Sequence, residues 1–455
     1  MSGVHGPPPG LTSPSVNRDL RRDLYAVTAA ALLVVVTALV GVAIKRADDV
    51  LHVGWPPLYA NWLPHVGPGT PAAISVAVTV VAYGPPLAAR LPWRLLLWSA
   101  WATALAWTFS LALVDGWHRG IARRLTTRYE YLQVIDRFDD IPAALRSFTD
   151  HILLGSPDHW PPHVAGHPPG ATLTFVLLDR IGLGGGGWAG VFVIAVGASA
   201  AVAVLVTIRT LASDALARRA APFLVLAPAA VWMGTSADGY FAAVAAWATA
   251  LLALAVTGHR PTAAALAAGL LFGLTVYLSY GLTLFAAMAT TVLLLGSRRL
   301  QVLPYAVAGL LVVPVAFTMA GFNWWEAYHL LVERYHQGAG GFRPYGYWLF
   351  ANLACTVLVV GPATVAGLRR AGARLARWHA TPVAERRLGL LVCAALTMLL
   401  AADLSGMSKA ETERIWLPFA LWLLTAGAFL DRPRAWLTFQ AVLALLLNHL
   451  LLTGW

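Results

Sequence analysis

The chain has 455 residues, of which 58% are hydrophobic and 12% are charged, and its mean hydropathy is +0.67. A soluble domain carries charge on about a quarter of its residues, so this composition excludes a soluble enzyme and indicates a polytopic membrane protein. The formal net charge is +11. Because most arginines lie between apolar runs, this charge is explained by membrane topology rather than by binding to nucleic acid.

The N-terminal segment predicts a tail followed by an uncleaved helix. The first 17 residues are rich in Pro, Gly and Ser, and Arg18, Arg21 and Arg22 follow them. The next apolar run lacks the small-residue cleavage site of a signal peptide. We therefore predict a disordered cytoplasmic tail at residues 1–24 and a single membrane-embedded domain at residues 25–455.

Thirteen apolar runs follow along the chain, most of them near the roughly 20 residues that cross a bilayer. They lie at about 25–44, 73–90, 94–114, 188–208, 220–234, 238–257, 263–280, 281–296, 302–320, 348–367, 388–403, 417–430 and 435–453. The predicted fold is all-α, a polytopic membrane helix bundle of about thirteen transmembrane helices.

The basic residues predict the orientation of this bundle. Loops rich in arginine, such as the six arginines from Arg369 to Arg387, alternate with loops that hold few basic residues. The positive-inside rule places the arginine-rich loops in the cytosol. Residues 170–182 span only about 20 Å, and a full crossing there would invert every later loop, so we predict a short re-entrant helix. Three outer loops are then long or polar: 115–169, 321–347 and 404–416.

The first outer loop predicts two helices in the membrane interface. In WHRGIARRLTTRYEYLQVI, apolar residues recur every three or four positions and arginines occupy another face. A second segment, PAALRSFTDHILL, repeats the pattern with Leu145, Phe148, Ile152 and Leu153. Such amphipathic segments are typical of interfacial helices, and capping of the bundle explains them equally well.

The stretch PDHWPPHVAGHPPG at 157–170 predicts a rigid connector. Proline fixes its own φ and restricts the residue before it, and a Pro-Pro pair suits the first turn of a helix. A helix beginning near Gly170 would direct its positive dipole end at the outer loop. His163 and His167 beside it are candidate ligands for a phosphate or a sugar hydroxyl, with a plain turn as the alternative.

Carboxylates at the outer boundary are candidates for catalysis and sugar binding. Asp115 follows LAWTFSLALV directly, so we expect it to be partly desolvated and suited to be a general base. The alternative is that Asp-Gly only marks the end of a helix, where this pair is common. Glu130 and Asp136 in the same loop are candidate substrate-binding residues. Asp238, in GTSADGYF, emerges at another outer end and is predicted to line the same cavity.

The second and third outer loops supply aromatic and cationic side chains. Tyr345 offers a stacking face for a sugar ring, and Arg343 offers a cation for phosphate. In SGMSKAETERIWLPF, Lys409 and Arg414 are further candidates for binding a donor phosphate. The alternative is that both form salt bridges with the glutamates of the same segment.

No metal site is predicted. The H-x3-H-x3-H spacing at 159–167 lies on a non-helical backbone, which is not a ligand geometry typical of metal sites. Cys355 and Cys393 lie inside apolar runs, where they are predicted to pack in the core. Whether a divalent cation takes part is left open.

These motifs resemble those of the GT-C superfamily of integral membrane glycosyltransferases. The combination of ALVDG at Asp115, YEYL at Glu130, GHPPG at 166–170 and KAETERIWLPF at 409–419 is similar to an actinobacterial branch that includes methylthioxylose transferase. The resemblance implies a polyprenyl-phosphate-linked sugar donor, a glycan or lipid-glycan acceptor, inversion at the anomeric carbon, and Asp115 as the base. The common core begins with one span before the catalytic loop, so Asp48 and Asp49, which follow the first span of this chain, are rival bases.

The resemblance also implies a multi-pass protein of the cell membrane with its active site on the extracytoplasmic face. The alternative function is a membrane transporter or a flippase for lipid-linked sugars. Transporters keep ionisable groups or broken helices near the bilayer midplane. In this sequence the predicted spans are nearly free of charge, which favours a transferase.

Overall fold

The computed structural model describes residues 14–454, with side chains from residue 18 onward. Within that range nine helices are long and apolar enough to cross a membrane, and two shorter apolar helices lie at Tyr280–Leu295 and Leu417–Phe429. All thirteen predicted apolar runs are mostly helical, and eleven of them correspond to these helices, whereas those at 220–234 and 435–453 do not. The prediction of an all-α polytopic bundle is therefore confirmed.

The helices of the bundle follow one another with short connections. They are α1 (Pro14–Ala47), α2 (Thr70–Arg90), α3 (Trp93–Ala112), α4 (Ile141–Arg146), α5 (Pro162–Ala165), α6 (Pro169–Arg180), α7 (Gly185–Ala198), α8 (Ala200–Leu211), α9 (Asp214–Val225), α10 (Ala230–Met233), α11 (Ala237–Val256), α12 (Pro261–Leu278), α13 (Phe285–Leu295), α14 (Arg299–Met319), α15 (Trp324–Gln337), α16 (Ala339–Phe342), α17 (Tyr345–Ala376), α18 (Val383–Leu404), α19 (Thr412–Ile415), α20 (Leu417–Leu423) and α21 (Pro433–Leu450). Short 3-10 segments occur at Leu113–Asp115, Arg124–Thr126, Tyr131–Phe138, Phe148–His151, Tyr280–Leu284, Trp378–Ala380 and Leu424–Phe429, and one π-helical turn at His118–Ala122.

The two ends of the bundle differ in charge. At one end, Arg218 donates to the carbonyl of Leu91, and Arg370 pairs with both Asp23 and Asp431. We call this the arginine-rich end, defined by Arg218, Arg219, Arg369, Arg370 and Arg432. The loops 115–169, 321–347 and 404–416 join helices at the other end, which we call the loop end.

Helix α6 has both of its ends at the loop end. Gly170 packs against the carbonyl of Tyr277 near the end of α12. At the other end of α6, Arg180 donates to the carbonyls of Phe138 and Asp139, which belong to the first long loop. With 12 residues, the helix is about 18 Å long. It therefore does not cross the bundle, as its length predicted.

A two-stranded antiparallel ribbon at the loop end was not predicted. Strand β1 (Ala60–Trp62) pairs with strand β2 (Leu451–Thr453). The apolar run at 435–453 predicts one helix to its end, but α21 stops at Leu450 and the last residues become β2. The ribbon holds the residues that follow β1 beside the end of α3.

The first long loop is divided into shorter pieces than the sequence predicted. The segment 117–132 was expected to form one amphipathic helix, but it forms the π-helical turn, a 3-10 turn and the start of another 3-10 segment. Gly116 has φ of +77°, and Arg124 donates to the carbonyl of Thr453. These tertiary contacts override helical periodicity. The second segment is likewise broken, at Ser147 between α4 and the next 3-10 turn.

The predicted cytoplasmic tail, residues 1–24, falls partly outside the described residues. From Pro14 onward the chain is already helical in α1. Asp23 is fully buried and bonded to Arg369 and Arg370 of α17. The ordered domain therefore begins before residue 25, because a buried ion pair fixes the start of α1 against α17.

Candidate active site

A buried arginine joins three parts of the chain at the loop end. Arg414 Nη1 lies 2.6 Å from Asp238 Oδ2, and its Nη2 lies 2.7 Å from Glu411 Oε2 and 3.0 Å from His163 Nε2. The Arg414 side chain is 6% exposed and that of Asp238 is 5% exposed. Burial of charges at such positions is tolerated only when they are paired and hydrogen bonded.

His163 extends this network to Glu130. Because a guanidinium only donates, His163 Nε2 accepts from Arg414, and the ring proton lies on Nδ1. That nitrogen lies 3.0 Å from Glu130 Oε1. The backbone N–H of His163 also donates to the carbonyl of Tyr129, which ties the Pro-rich connector to the preceding loop. We call Glu130, His163, Asp238, Glu411 and Arg414 the Arg414 network.

His167 lies beside the network as a neutral ring. Its Nδ1 is 2.7 Å from the carbonyl of His163 and 3.1 Å from the hydroxyl of Tyr131. Burial lowers the pKa of His167 to about 4, although Asp238 acts in the opposite direction. The imidazole is therefore uncharged near pH 7 and is suited to hydrogen bonding.

Local backbone geometry places the acidic and basic members of the network together. Ser236 caps α11, and its hydroxyl donates to Asp238 Oδ2 across 2.9 Å. Ala410 and Glu411 both have positive φ, at +76° and +61°. Non-glycine residues rarely adopt this conformation, which costs on the order of 1 kcal/mol each. The turn directs Glu411 back toward Arg414, three residues later.

The Pro-rich connector is ordered, as its sequence predicted. Trp160 is buried, and its indole N–H donates to the carbonyl of Phe148 across 2.8 Å. Arg137 lies over the indole ring at 3.5 Å, and Arg334 donates to the Trp160 carbonyl. Within this rigid connector, residues Pro162–Ala165 form a single helical turn. The predicted helix start at the Pro-Pro pair is observed, with α6 beginning at Pro169.

Asp115 lies in a separate, cationic cluster at the same end. Its Oδ1 lies 3.2 Å from His65 Nε2 and accepts a hydrogen bond from Arg119 Nη2, and its Oδ2 lies 3.2 Å from Arg124 Nη2. The Asp115 side chain is 13% exposed and that of Arg119 is 44% exposed. We call these four residues the Asp115 cluster. His65 was missed by the sequence analysis because its contact with Asp115 depends on the β1–β2 ribbon.

A hydrogen bond joins the chain segments that carry the Asp115 cluster and the Arg414 network. The hydroxyl of Thr235, three residues before Asp238, donates to the carbonyl of Gly120, five residues after Asp115. Asp115 and Asp238 therefore lie at the same end of the bundle but in separate clusters, whereas Arg370 and Arg387 contact Asp23 and the carbonyl of Leu211 at the arginine-rich end. Each cluster nevertheless makes its own set of ion pairs.

The two other predicted phosphate ligands bond to backbone carbonyls. Arg343 donates to the carbonyls of Leu51 and Lys409, at 2.9 and 2.6 Å, and Lys409 Nζ donates to the carbonyl of Gly340 at 2.9 Å. These bonds tie the segment after α1 to the second and third loops. The observed role of both side chains is to hold loops together, which spacing alone could not reveal.

Two predicted substrate-binding residues lie outside both clusters. Asp136 is exposed to solvent. Tyr345 is 42% exposed, and its hydroxyl donates to the carbonyl of Leu404 at 3.2 Å. The rival bases Asp48 and Asp49 are both exposed, just after the end of α1. The structure therefore does not bring these residues into either cluster.

Glu413 is a buried carboxyl that the sequence analysis did not single out. It was considered only as a salt-bridge partner for Lys409 or Arg414, but its Oε1 accepts from the backbone N–H of Tyr59 at 2.7 Å. Its Oε2 has no hydrogen-bond partner within residues 14–454. Burial raises the pKa of Glu413 to about 7. Its protonation therefore changes near neutral pH.

In the described part of the chain, no three His, Cys, Asp or Glu side chains are grouped so that they could hold a metal ion. The carboxylates of the Arg414 network are instead oriented by cationic and N–H donors. The Arg414 guanidinium pairs with Asp238 and Glu411, and Glu130 pairs with His163, so the network holds three carboxylates and one guanidinium. The network is acidic in sum, whereas the Asp115 cluster is basic.

Neither a family model nor a curated protein matches the chain. Solved structures of an oligosaccharyltransferase from Archaeoglobus fulgidus are similar to it at low identity. The complex with Zn and sulfate is 16% identical with a TM-score of 0.41, over 73% of this chain and 48% of that one. The complex of AglB with an inhibitory peptide and a dolichol-phosphate is 15% identical with a TM-score of 0.38, over 78% and 50%. The chain spans about half the length of these proteins, and likeness at this level assigns no function.

Proposed function

We propose that this chain is a GT-C-type integral membrane glycosyltransferase. It transfers a sugar from a polyprenyl-phosphate-linked donor to an extracytoplasmic glycan or lipid-glycan acceptor, with inversion at the anomeric carbon. One observation carries the proposal. The separate motifs on which the GT-C resemblance rests contribute Glu130, His167 and Arg414, and these side chains meet at the loop end. The actinobacterial branch remains a proposal that rests on the motifs alone.

The charge of each cluster suggests which part of the substrates it binds. Phosphate is bound by guanidinium groups, and Arg119 and Arg124 of the Asp115 cluster provide two of them. Sugar hydroxyls donate hydrogen bonds to carboxylates, which the acidic Arg414 network supplies. We therefore propose that the donor phosphate binds at Arg119 and Arg124, and that sugar hydroxyls bind near Glu411.

Asp115 is the proposed general base. Its carboxylate is partly exposed, whereas Glu130 and Glu413 are 5% and 0% exposed. A base must come within hydrogen-bond reach of the hydroxyl that it deprotonates, so partial exposure favours Asp115. Inversion requires the attacking hydroxyl and the leaving phosphate on opposite sides of the sugar. The phosphate would therefore bind the edges of the two guanidinium groups that face away from Asp115, where they would stabilise its developing negative charge. Arg414 would act by orienting Glu411, Asp238 and His163.

A transporter or flippase is the second candidate, because one long helix is broken inside the membrane. Helix α17 is interrupted at Gly361, where φ is +76°, and Pro362 follows. Gln440 of α21 faces the break and is fully buried. Broken helices near the midplane are typical of transporters, but their sites also need ionisable groups or carbonyl ligands for a coupling ion. Gln440 carries no charge, so the break supports transport only weakly.

The experiment that tests the proposal compares lipid-linked glycans and cell-wall polymers in three strains. One lacks the gene, one is complemented with the wild-type gene, and one is complemented with Asp115→Asn. We expect the deletion and Asp115→Asn strains to lack the same glycan, because asparagine keeps the shape but cannot accept the proton. Asp136→Asn, which changes an exposed carboxylate of the same loop, is the matched control. An unchanged glycan profile in the deletion strain would exclude a transferase.

A flippase gives a different result in the same comparison. Its loss leaves the lipid-linked sugar accumulated on the cytoplasmic face. Asp115→Asn would then behave like the wild type, because no proton is transferred. Labelling of the accumulated sugar from outside intact cells separates the two functions, since a missing transferase leaves the donor on the outer face.

A further inference from the structure

A second site lies at the arginine-rich end, far from both clusters of the loop end. A cavity of about 620 Å³ opens between α2, α9 and α21. Pro85, Ala89, Phe223 and Leu430 form its apolar wall, and Arg218, Arg219 and Arg432 form its basic wall. The proposed transfer reaction uses none of these residues.

An apolar groove adjoins this cavity. The groove has a volume of about 120 Å³ and runs between α2, α3 and α9. It extends along α2 from Thr79 to Leu91, which is about 18 Å at the helical rise. Pro222 lines both spaces, so they meet at that residue. Gly84 leaves space between α2 and α9, because a Cβ there would lie 3.5 Å from Pro222 Cβ on the opposite wall.

The groove opens toward the side of the bundle that faces lipid. On α2, Val78, Tyr83 and Leu87 are 61%, 62% and 49% exposed, as expected of side chains that contact acyl chains. The groove therefore offers an entry for one acyl chain directly from the bilayer. A water-soluble ligand without an apolar chain would not bind in this groove.

The cavity carries positive charge that its neighbours do not cancel. Arg219 is exposed and donates to the carbonyl of Leu430 at 3.0 Å, which leaves its charge intact. Arg432 is also exposed. The carboxylate at the rim, Asp431, lies 2.6 Å from Arg370 and is shared with it. Arg218 is paired with Asp214, so the positive charge that is available for a ligand lies on Arg219 and Arg432.

We propose that this joined cavity and groove bind one anionic phospholipid, with the phosphate between Arg219 and Arg432 and an acyl chain between α2 and α3. Basic pockets between membrane helices on the cytoplasmic side are suited to anionic headgroups. The positive-inside rule places the arginine-rich end on that side. The lipid would hold α2 and α9 together, where Pro85 and Pro86 interrupt the hydrogen bonding of α2. The site does not depend on the proposed transferase activity.

The test is native mass spectrometry of the purified full chain in detergent. Phosphatidylglycerol and phosphatidylcholine with identical acyl chains are added at equal concentration. We expect the wild type to retain phosphatidylglycerol preferentially. The variant Arg219→Gln/Arg432→Gln should lose this preference by about fivefold per arginine, which corresponds to ~1 kcal/mol for each basic residue near an anionic lipid surface.

Two matched variants control for charge and for folding. Arg219→Lys/Arg432→Lys keeps both charges and should keep the preference. Arg94→Gln removes an exposed arginine at the same end, outside the cavity, and should also keep it. Thr103→Trp fills the groove and should reduce binding of both lipids, because the acyl chain loses its place.

Three outcomes would overturn the proposal. The first is that Arg219→Gln/Arg432→Gln binds phosphatidylglycerol as the wild type does. The second is that millimolar inorganic phosphate displaces the lipid, which would make the cavity a site for a soluble anion. The third is that Arg94→Gln loses the preference equally, which would indicate attraction to the whole basic surface.

Discussion

Arg414 and Asp238 form a buried ion pair, with 2.6 Å between Nη1 and Oδ2, across 176 positions of the chain. The pair joins the third outer loop to the first turn of α11. His163 and Glu411 both bond the other terminal nitrogen, Nη2, of the same guanidinium. This contact is what assembles three distant parts of the sequence into one site at the loop end.

Removal of Arg414 should destabilise the protein strongly. Arg414→Gln leaves Asp238 as a buried carboxylate without its cation, and breaking a buried pair in this way costs about 3–5 kcal/mol. The measurement is thermal unfolding in detergent. Arg94→Gln, which removes an exposed arginine, is the control. Asp238→Asn/Arg414→Gln should be less destabilised than the two single losses added together. A fully additive double variant would contradict the coupling.

Glu413 should make stability depend on pH. Burial raises the pKa of Glu413 to about 7 in the folded chain, above its value of about 4.5 when unfolded. The folded state binds the extra proton, so the stabilising contribution is present below about pH 4.5 and is lost as the pH rises through about 7. The shift corresponds to about 3 kcal/mol. Glu413→Gln should remove this loss while keeping the hydrogen bond to Tyr59.

The measurement for Glu413 is the difference in melting temperature between wild type and variant from pH 4.5 to 8. Glu333→Gln, at an exposed position, is the matched control. A constant difference across this range would mean that the Glu413 carboxyl does not titrate there.

His167 should produce the opposite pH dependence. Burial lowers the pKa of His167 to about 4 in the folded chain, below the ordinary value of 6.5. The unfolded state therefore binds the extra proton between those values, and stability is lost as the pH falls from about 6.5 to about 4. His167→Asn should remove this loss of stability at acidic pH, because asparagine does not titrate. The stability of the variant relative to wild type should therefore rise with increasing pH for Glu413→Gln and rise with decreasing pH for His167→Asn. The opposite slope in either variant would refute the assignment for that residue.

Arg119 should contribute to donor binding if the donor phosphate lies at the Asp115 cluster. Loss of one charge-assisted hydrogen bond costs about 1.5–3 kcal/mol, so Arg119→Gln should lower kcat/KM for the donor at least about tenfold. Initial rates in membranes with varied donor concentration measure this. Arg123→Gln, an exposed arginine of the same loop, should have little effect. Equal losses in both variants would indicate only general attraction by the basic loop.

The membrane-spanning architecture could be predicted because it depends on local composition. Apolar runs define the helices, arginines between them define the two ends, and the length of α6 excludes a crossing. The end of α21 could not be predicted. Residues Leu451–Thr453 are as apolar as a helix requires, and they form a strand because Ala60–Trp62 lies beside them.

The sequence predicted most residues of the Arg414 network, but it did not predict which side chains contact one another. Glu130, His163, Asp238 and Arg414 were chosen as polar residues at one side of the membrane, and they do meet. Arg343 and Lys409 were chosen for charge, but their partners are carbonyls that no sequence pattern identifies. Glu413 was overlooked because its burial depends on contact with Tyr59, 354 positions away.

The proposed transferase depends above all on Asp115 acting as the base at the loop end. The most direct measurement is the rate of sugar transfer in membranes that contain wild type, Asp115→Asn, Asp136→Asn or Asp48→Asn/Asp49→Asn at equal protein levels. General base catalysis contributes about 10²–10⁴-fold. We predict that the rate of sugar transfer falls by at least about 100-fold only in Asp115→Asn, and that this variant still binds the lipid donor. Wild-type rates for Asp115→Asn, or a loss confined to Asp48→Asn/Asp49→Asn, would contradict it.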